Sequence, residues 1–363
     1  MTELDAVLAR VRERVLPEPE ERERLRVTAA TLTERTREAI VDLPVAADVV
    51  QVGSTARGTW VAGDRDIDLF VRFPADLDRA ELEEYGLAVG HAVLPDGHEE
   101  YAEHPYVKGV YDGFDVDLVP CHDVDTAGDL VSAVDRTPFH DAYLTERLDD
   151  DLADDVVLAK AFLKGIGAYG SDLRTEGFSG YLTELLVAEL GGFVPLVESA
   201  RSWHPPVEFD PEGHAERTFD DALVVVDPTD PTRNVAAVLS AANLARFQHY
   251  ARDLLADPRD TLFHPTGSGT ISTDGRRPRS PSSSTRPTSS TTNSGRSSAA
   301  RSTVSSADWT TTASTSFARK RWLTTHTTVT TVPATMGRPT RIRCYAAPDR
   351  NGRRCSPRSR RRR

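Results

Sequence analysis

Two aspartates two residues apart, Asp66 and Asp68 in Asp66-Ile67-Asp68-Leu69-Phe70, are the pair whose type and spacing point most directly to chemistry. On a strand, positions i and i+2 face the same way, so both carboxylates reach one ion. Such a pair suits magnesium (Mg2+), a hard cation that takes oxygen ligands and leaves its other positions to water or phosphate. The plainer reading is a pair of solvated strand-edge charges. Ile67, Leu69 and Phe70 argue instead for a strand that lines a cleft. A third carboxylate is expected on a neighbouring strand. Asp117 in Asp115-Val116-Asp117-Leu118-Val119-Pro120 fits, because its apolar neighbours make an uncompensated charge there costly. Asp115 shares its face by the same alternation and is read as a bystander.

Thirteen residues before Asp66 comes Gly53-Ser54-Thr55-Ala56-Arg57-Gly58-Thr59-Trp60. A strand ending at Gly-Ser and turning into a helix offers backbone N–H groups and a hydroxyl to an anion such as a triphosphate. Arg57, three residues after Ser54, adds a cation on the same side of that turn. Alone, Gly-Ser before a helix is an ordinary N-cap; the aspartate pair is what gives it meaning. Further along, Lys160 sits in an otherwise apolar helical stretch, where a cation needs an anionic partner. Tyr169 follows it in Gly167-Ala168-Tyr169-Gly170, a turn expected to expose its ring. His104 and His140 read as core or capping histidines. Cys121 reads as a small buried apolar residue, and Asp149 to Asp151 as a solvated helix start.

Stepping outward, the elements that must position these residues form an α+β arrangement. Residues 3–41 have apolar positions at helical spacing broken by Pro17 and Pro19, which predicts a helical pair. VVQVG, IDLFVRF and GFDVDLVPC predict strands of a mixed sheet. Residues 79–93 predict an amphipathic helix between them, weakened at its centre by Gly86 and Gly90. From Asp149 the pattern turns helical, in VVLAKAFLKGIG, GYLTELLVAEL and LARFQHYARDLLAD. The expected division is a catalytic head at 1–145, a helical neck at 146–266 and a Ser/Thr/Arg-rich tail at 267–363.

Charge divides the chain in the same place. Residues 267–363 carry 20 Lys+Arg against 3 Asp+Glu, a net +17, leaving 24 basic and 53 acidic residues in 1–266, a net −29. That acidic part holds three lysines, Lys108, Lys160 and Lys164, and is similar in composition to proteins of salt-loving organisms. Its charge should repel nucleic acid at low salt, whereas screening at high salt leaves room for a local basic groove. The tail has two readings: a disordered basic segment that binds RNA, or an out-of-frame translation, suggested by the absence of Glu after a stretch saturated with it. Three cysteines, two of them in the tail, make no disulfide framework and no zinc cluster. The N-terminus has no apolar run, so no signal peptide or membrane partner is expected and the protein is read as cytoplasmic.

Gly53-Ser54 followed by Asp66-Ile67-Asp68 resembles the signature of the polymerase-beta nucleotidyltransferase superfamily. GSTARGTW, DIDLFV, YAEHPYV, VDLVPC, RTPFH, GFSGYLTELL and DPTRNVA resemble its archaeal branch, the class I CCA-adding enzymes, over roughly residues 1–266. The resemblance implies a polymerase-beta-like head and repair of the 3′ end of tRNA with CTP and ATP. It implies metal ligands at Asp66, Asp68 and Asp117, with Asp66 standing where many relatives have Glu. It further implies nucleotide contacts from Ser54, Arg57, His140, Lys160 and Tyr169, and contacts from Gly53 and Arg233 with nucleotide or tRNA. The mechanism it implies is two-metal nucleotidyl transfer with Asp68 as the shared ligand. Alternatives are another superfamily member, such as a poly(A) polymerase or an oligoadenylate synthetase, and a binding remnant without turnover. The last arises because the tail occupies the place of the family's tRNA-gripping body, which predicts weak CCA addition. Oligomeric state is left open, a homodimer included.

Overall fold

The computed structural model describes residues 2–264, so both readings of 267–363 lie outside the described residues. Helices α1 (Glu3–Val15) and α2 (Pro19–Val41) open the chain. α1 starts in a capping box between Thr2 and Asp5, and α2 has its proline in the first turn, where the missing N–H costs nothing. β1 (Asp48–Val52) leads into α3 (Gly53–Ala56), a single turn, and then into β2 (Asp66–Pro74). After α4 (Arg79–Val93) come β3 (His98–Tyr101), β4 (Pro105–Tyr111) and β5 (Phe114–Asp123).

The five strands form one sheet in the order β1-β2-β5-β4-β3. It is mixed, with β2 and β5 parallel and the other neighbours antiparallel. Alternation along β2 and β5 buries Ile67, Leu69, Val116 and Leu118 beneath α2 and α4 and leaves Asp66, Asp68, Asp115 and Asp117 less buried. The two helical glycines have a packing purpose. A Cβ on Gly86 would lie 2.6 Å from the Pro120 ring, and one on Gly90 would overlap Val107. Their absence lets α4 lie directly on the sheet.

A 3-10 turn (Val134–Arg136) and α5 (Thr137–Thr145) lead into α6 (Asp150–Gly165), α7 (Gly180–Leu190) and α8 (Phe193–Ala200). Asp149 caps α6 by accepting from the Leu152 N–H at 2.9 Å. A small sheet of β6 (Val207–Phe209), β7 (Leu223–Asp227) and β8 (Asp230–Asn234) precedes α9 (Ala241–Ala256). The sequence pattern does not anticipate this sheet, whose edge strand is Asp230–Asn234. The second core gathers Phe162, Phe178, Phe193, Phe247 and Phe263. Val7, Leu8, Val11 and Val15 of α1 belong to this second core and not to the sheet's. The chain's first helix therefore ties the two parts together. Among the described residues no single helix is long and apolar enough to cross a membrane; α7 and α8, apolar together, meet at 92° and are built into the second core.

Candidate active site

One row of the sheet carries the acidic chemistry. Parallel pairing sets Asp66 opposite Asp115 and Asp68 opposite Asp117, and the next strand brings Lys108 opposite Asp117. The row continues to Val52 on β1, after which the chain turns at Gly53. Gly53 has φ +85°, and a Cβ there would overlap the Asp68 carboxylate. Glycine therefore serves both the left-handed turn and the close approach to Asp68.

Asp68 has a carboxyl pushed up to about 7, by burial first and then by the charges of Asp117 and Asp66. Asp66 is raised as well, through burial, with Lys108 opposing and Asp115 and Asp117 adding. Lys108 Nζ lies 2.9 Å from Asp117 Oδ1 and donates to Oδ2 at 3.3 Å. The chain thus holds three close carboxylates with one lysine as their internal counter-charge. Among the described residues no three acidic, His or Cys side chains are grouped so as to hold a metal ion by themselves. The donor set is nonetheless oxygen only and like-charged, which suits a hard divalent cation completed by ligand oxygens.

Behind the turn is a buried ionic network. Glu184 on α7 accepts from Thr59 Oγ1 at 2.6 Å and Lys160 Nζ at 2.7 Å through Oε1, and from Arg57 Nη2 at 2.6 Å through Oε2. Arg57 also donates to Asp141 on α5, whose Oδ1 accepts the Gly53 N–H at 3.0 Å. Glu184 is fully buried. Burial alone would raise its carboxyl, yet Lys160 and Arg57 hold it below the ordinary value. Sheet and helices are therefore joined by two cations and two anions whose charges cancel. The Gly53 N–H is taken by Asp141, and the cations of Arg57 and Lys160 are engaged by internal carboxylates.

The other residues singled out in the sequence lie next to this network. His140, beside Asp141 on α5, donates from Nε2 to Asp227 Oδ2 at 2.8 Å and stacks on Tyr181 with centroids 3.9 Å apart. Arg233 on β8 donates to the same Asp227 oxygen at 2.7 Å. Ser54 is half-buried, and its carbonyl accepts the Thr59 N–H at 2.9 Å. Tyr169, expected to expose its ring, is instead half-buried: the backbone pairs Tyr169 with Phe178, and Lys164 lies over the ring at 5.4 Å. Cys121 is buried with its thiol pushed well up by burial. Glu184, Asp141 and Asp227 are the participants that sequence reasoning missed. The signal for one of them lay in Lys160, a cation in an apolar helix that required an anionic partner, here Glu184.

Residues 33–140 match the nucleotidyltransferase domain family, and residues 154–264 match the second domain of tRNA nucleotidyltransferase. Over 265 residues the chain is 84% identical to a CCA-adding enzyme of Halorubrum lacusprofundi, covering 73% of this chain and 57% of the relative. It is 66% identical to that of Halobacterium salinarum, covering 73% and 59%. The chain thus spans less than three fifths of the length of these curated relatives. Among solved structures, a cytoplasmic RNA terminal U-transferase matches with TM-score 0.53 at 16% identity, covering 73% of this chain and 99% of that one. CdnC of E. coli MS115-1 matches with TM-score 0.54 at 19% identity, covering 71% and 93%. These two distant likenesses fix the fold, an α+β nucleotidyltransferase head followed by a helical domain. With the two family models matched at residues 33–140 and 154–264 and the halophilic relatives alike over 265 residues, the chain belongs to the tRNA nucleotidyltransferases, the family of the archaeal CCA-adding enzymes.

Proposed function

We propose that this site transfers nucleotidyl groups from CTP and ATP to the 3′ end of tRNA lacking its CCA. The observation that carries the reading is the register of Asp68 against Asp117 beside the Gly53 turn, which concentrates negative charge where a cation and a triphosphate meet. Asp66, Asp68 and Asp117 would hold magnesium. Held there, it would supply acidification of the attacking hydroxyl and compensation of the triphosphate charge. Ser54 and the turn around it face the triphosphate. Arg57 and Lys160 hold the turn in place through Glu184 and Asp141. His140, Tyr169 and Arg233 border the remainder of the nucleotide. With two metals acidifying the nucleophile, no side chain is needed as sole general base.

The likeness to the relatives stops near residue 265, and they are considerably longer. We therefore expect nucleotide binding by this chain to exceed its capacity to extend tRNA. The test is incubation of the full chain, at high salt with magnesium, with tRNA lacking CCA and labelled CTP and ATP, beside Asp68→Ala. Addition of two C and one A, lost in the variant, supports the reading. Absence of both addition and magnesium-dependent ATP binding sinks it.

A further inference from the structure

Asp227 is a carboxylate near the site with both oxygens fully engaged. It ends β7, with its side chain inaccessible to solvent. Oδ1 accepts from the Thr229 N–H at 3.0 Å and from its hydroxyl at 2.9 Å, which locks the turn into β8. Oδ2 accepts from His140 Nε2 at 2.8 Å and from Arg233 Nη1 at 2.7 Å. His140 is also fixed from the side by its stack on Tyr181, tilted by only 12°. One carboxylate therefore orients an imidazole on α5 and a guanidinium on β8, groups 93 positions apart in sequence. A hydrogen bond from Nε2 decides the imidazole tautomer, because the proton must sit on the nitrogen facing the carboxylate.

We infer that Asp227 is a positioning residue: it holds His140 as the Nε2–H tautomer, so that Nδ1 is presented as an acceptor, and it holds Arg233 at a fixed distance from that ring. The inference rests on the proposed nucleotide site for its functional consequence, though not for its geometry. The burial of Asp227 explains why a carboxylate is used. Its charge is compensated by Arg233 and the imidazole N–H, and the low-dielectric setting strengthens both bonds. A merely structural acid at this turn needs only the Thr229 bonds; of the two on Oδ2, that from Arg233 crosses to the neighbouring strand and that from His140 reaches out of the hairpin to α5.

Two readouts on the full chain at high salt test this. In the first, nitrogen-15 imidazole spectra of the unliganded protein, assigned with His140→Gln, should show His140 as a single Nε2–H tautomer, and Asp227→Asn should mix the tautomers. A mixed population in the unsubstituted chain overturns the inference, whether or not nucleotide binds. In the second, Asp227→Asn should weaken magnesium–ATP binding about tenfold, the ratio expected for losing one charge-assisted hydrogen bond. The same change in a His140→Gln, Arg233→Gln background should then have little further effect, since its intermediaries are gone. Equal losses in both backgrounds would reject positioning through these two groups. Should the unsubstituted chain bind no ATP, the nucleotide-site reading fails while the tautomer result still decides the role of Asp227.

Discussion

Gly53 and Asp68 occupy the same small volume: the glycine Cα lies so close to the carboxylate that a side chain on it would overlap Asp68 Oδ2, and its φ of +85° suits glycine in any case. The turn after β1 and the acidic row are therefore one structural unit. The turn and the carboxylate are set against each other by the lack of a single carbon.

Gly53→Ala tests this unit, and Gly58→Ala is its control. Gly58 has a similar left-handed φ of +71° but open space where a Cβ would go. Backbone strain alone should cost each variant about 1 kcal/mol of stability. Gly53→Ala must in addition push the Asp68 carboxylate aside, so magnesium-dependent ATP binding should fall at least roughly tenfold, about 1.4 kcal/mol. Calorimetric titration with ATP and magnesium distinguishes the two. Equal binding by both variants would show that the contact with Asp68 is immaterial.

Asp68 sets a pH dependence of opposite sign to that of an ordinary salt-bridged aspartate. Its carboxyl is raised from 3.8 to about 7 in the folded chain, first by burial and then by Asp117 and Asp66. Below pH 3.8 both folded and unfolded chains hold the proton. Between there and pH 7 the unfolded chain releases it first, so this group lowers stability as pH rises, reaching roughly 4 kcal/mol above pH 7. Asp68→Asn should therefore melt higher than the unsubstituted protein at pH 8, in the absence of divalent ions, and the gap should close towards pH 4. Magnesium should raise the melting temperature of the unsubstituted chain alone. A variant that melts lower at pH 8 would contradict the carboxylate repulsion.

Glu184 works in the other direction. It is fully buried, its carboxyl held below the ordinary range despite burial because Lys160 and Arg57 sit against it. Its stabilising contribution is present above the ordinary carboxyl value and is lost as pH falls through the depressed one. Glu184→Gln leaves two buried cations short of a counter-charge, and breaking buried pairs of this kind costs about 3–5 kcal/mol. A drop of several degrees in melting temperature at pH 7, with ATP binding weakened because Arg57 and Lys160 lose their anchor, is expected. An unchanged melting curve would mean the network contributes little.

The legible parts of this molecule are those where a local pattern and a chemical need coincide. Asp66, Asp68 and Asp117 stand among apolar strand residues, so alternation and the cost of burying charge lead to one face together. Lys160 is legible as a cation that needs an anion. Its partner is not, because Glu184 reads as one polar residue in another helix. Lysine scarcity is a usable signal: all three lysines before residue 267 are committed to ion pairs, Lys108 with Asp117, Lys160 with Glu184 and Lys164 with Asp64. The small sheet escapes because Asp230-Pro231-Thr232 carries turn residues, and only pairing with Leu223–Asp227 makes it a strand. Gly86 and Gly90 look like weak points of a helix until the sheet beneath them is known.

Gly86→Ala sets two magnitudes against each other. Helix propensity favours alanine by up to about 1 kcal/mol in a helix interior. Gly86, however, is buried, and a Cβ there would lie 2.6 Å from both Cβ and Cγ of Pro120, a ring fixed on the central strand β5. A proline cannot rotate out of the way, so α4 must lift from the sheet, and overpacking of this kind costs about 1–3 kcal/mol. The packing cost should win, leaving Gly86→Ala less stable by roughly 1 kcal/mol once the propensity gain is subtracted. Because Pro120 lies three residues beyond Asp117 on the same strand, the shift should also weaken magnesium-dependent ATP binding. Denaturant melts together with ATP titration check both effects, and a variant more stable than the unsubstituted chain would show that helix propensity outweighs the contact.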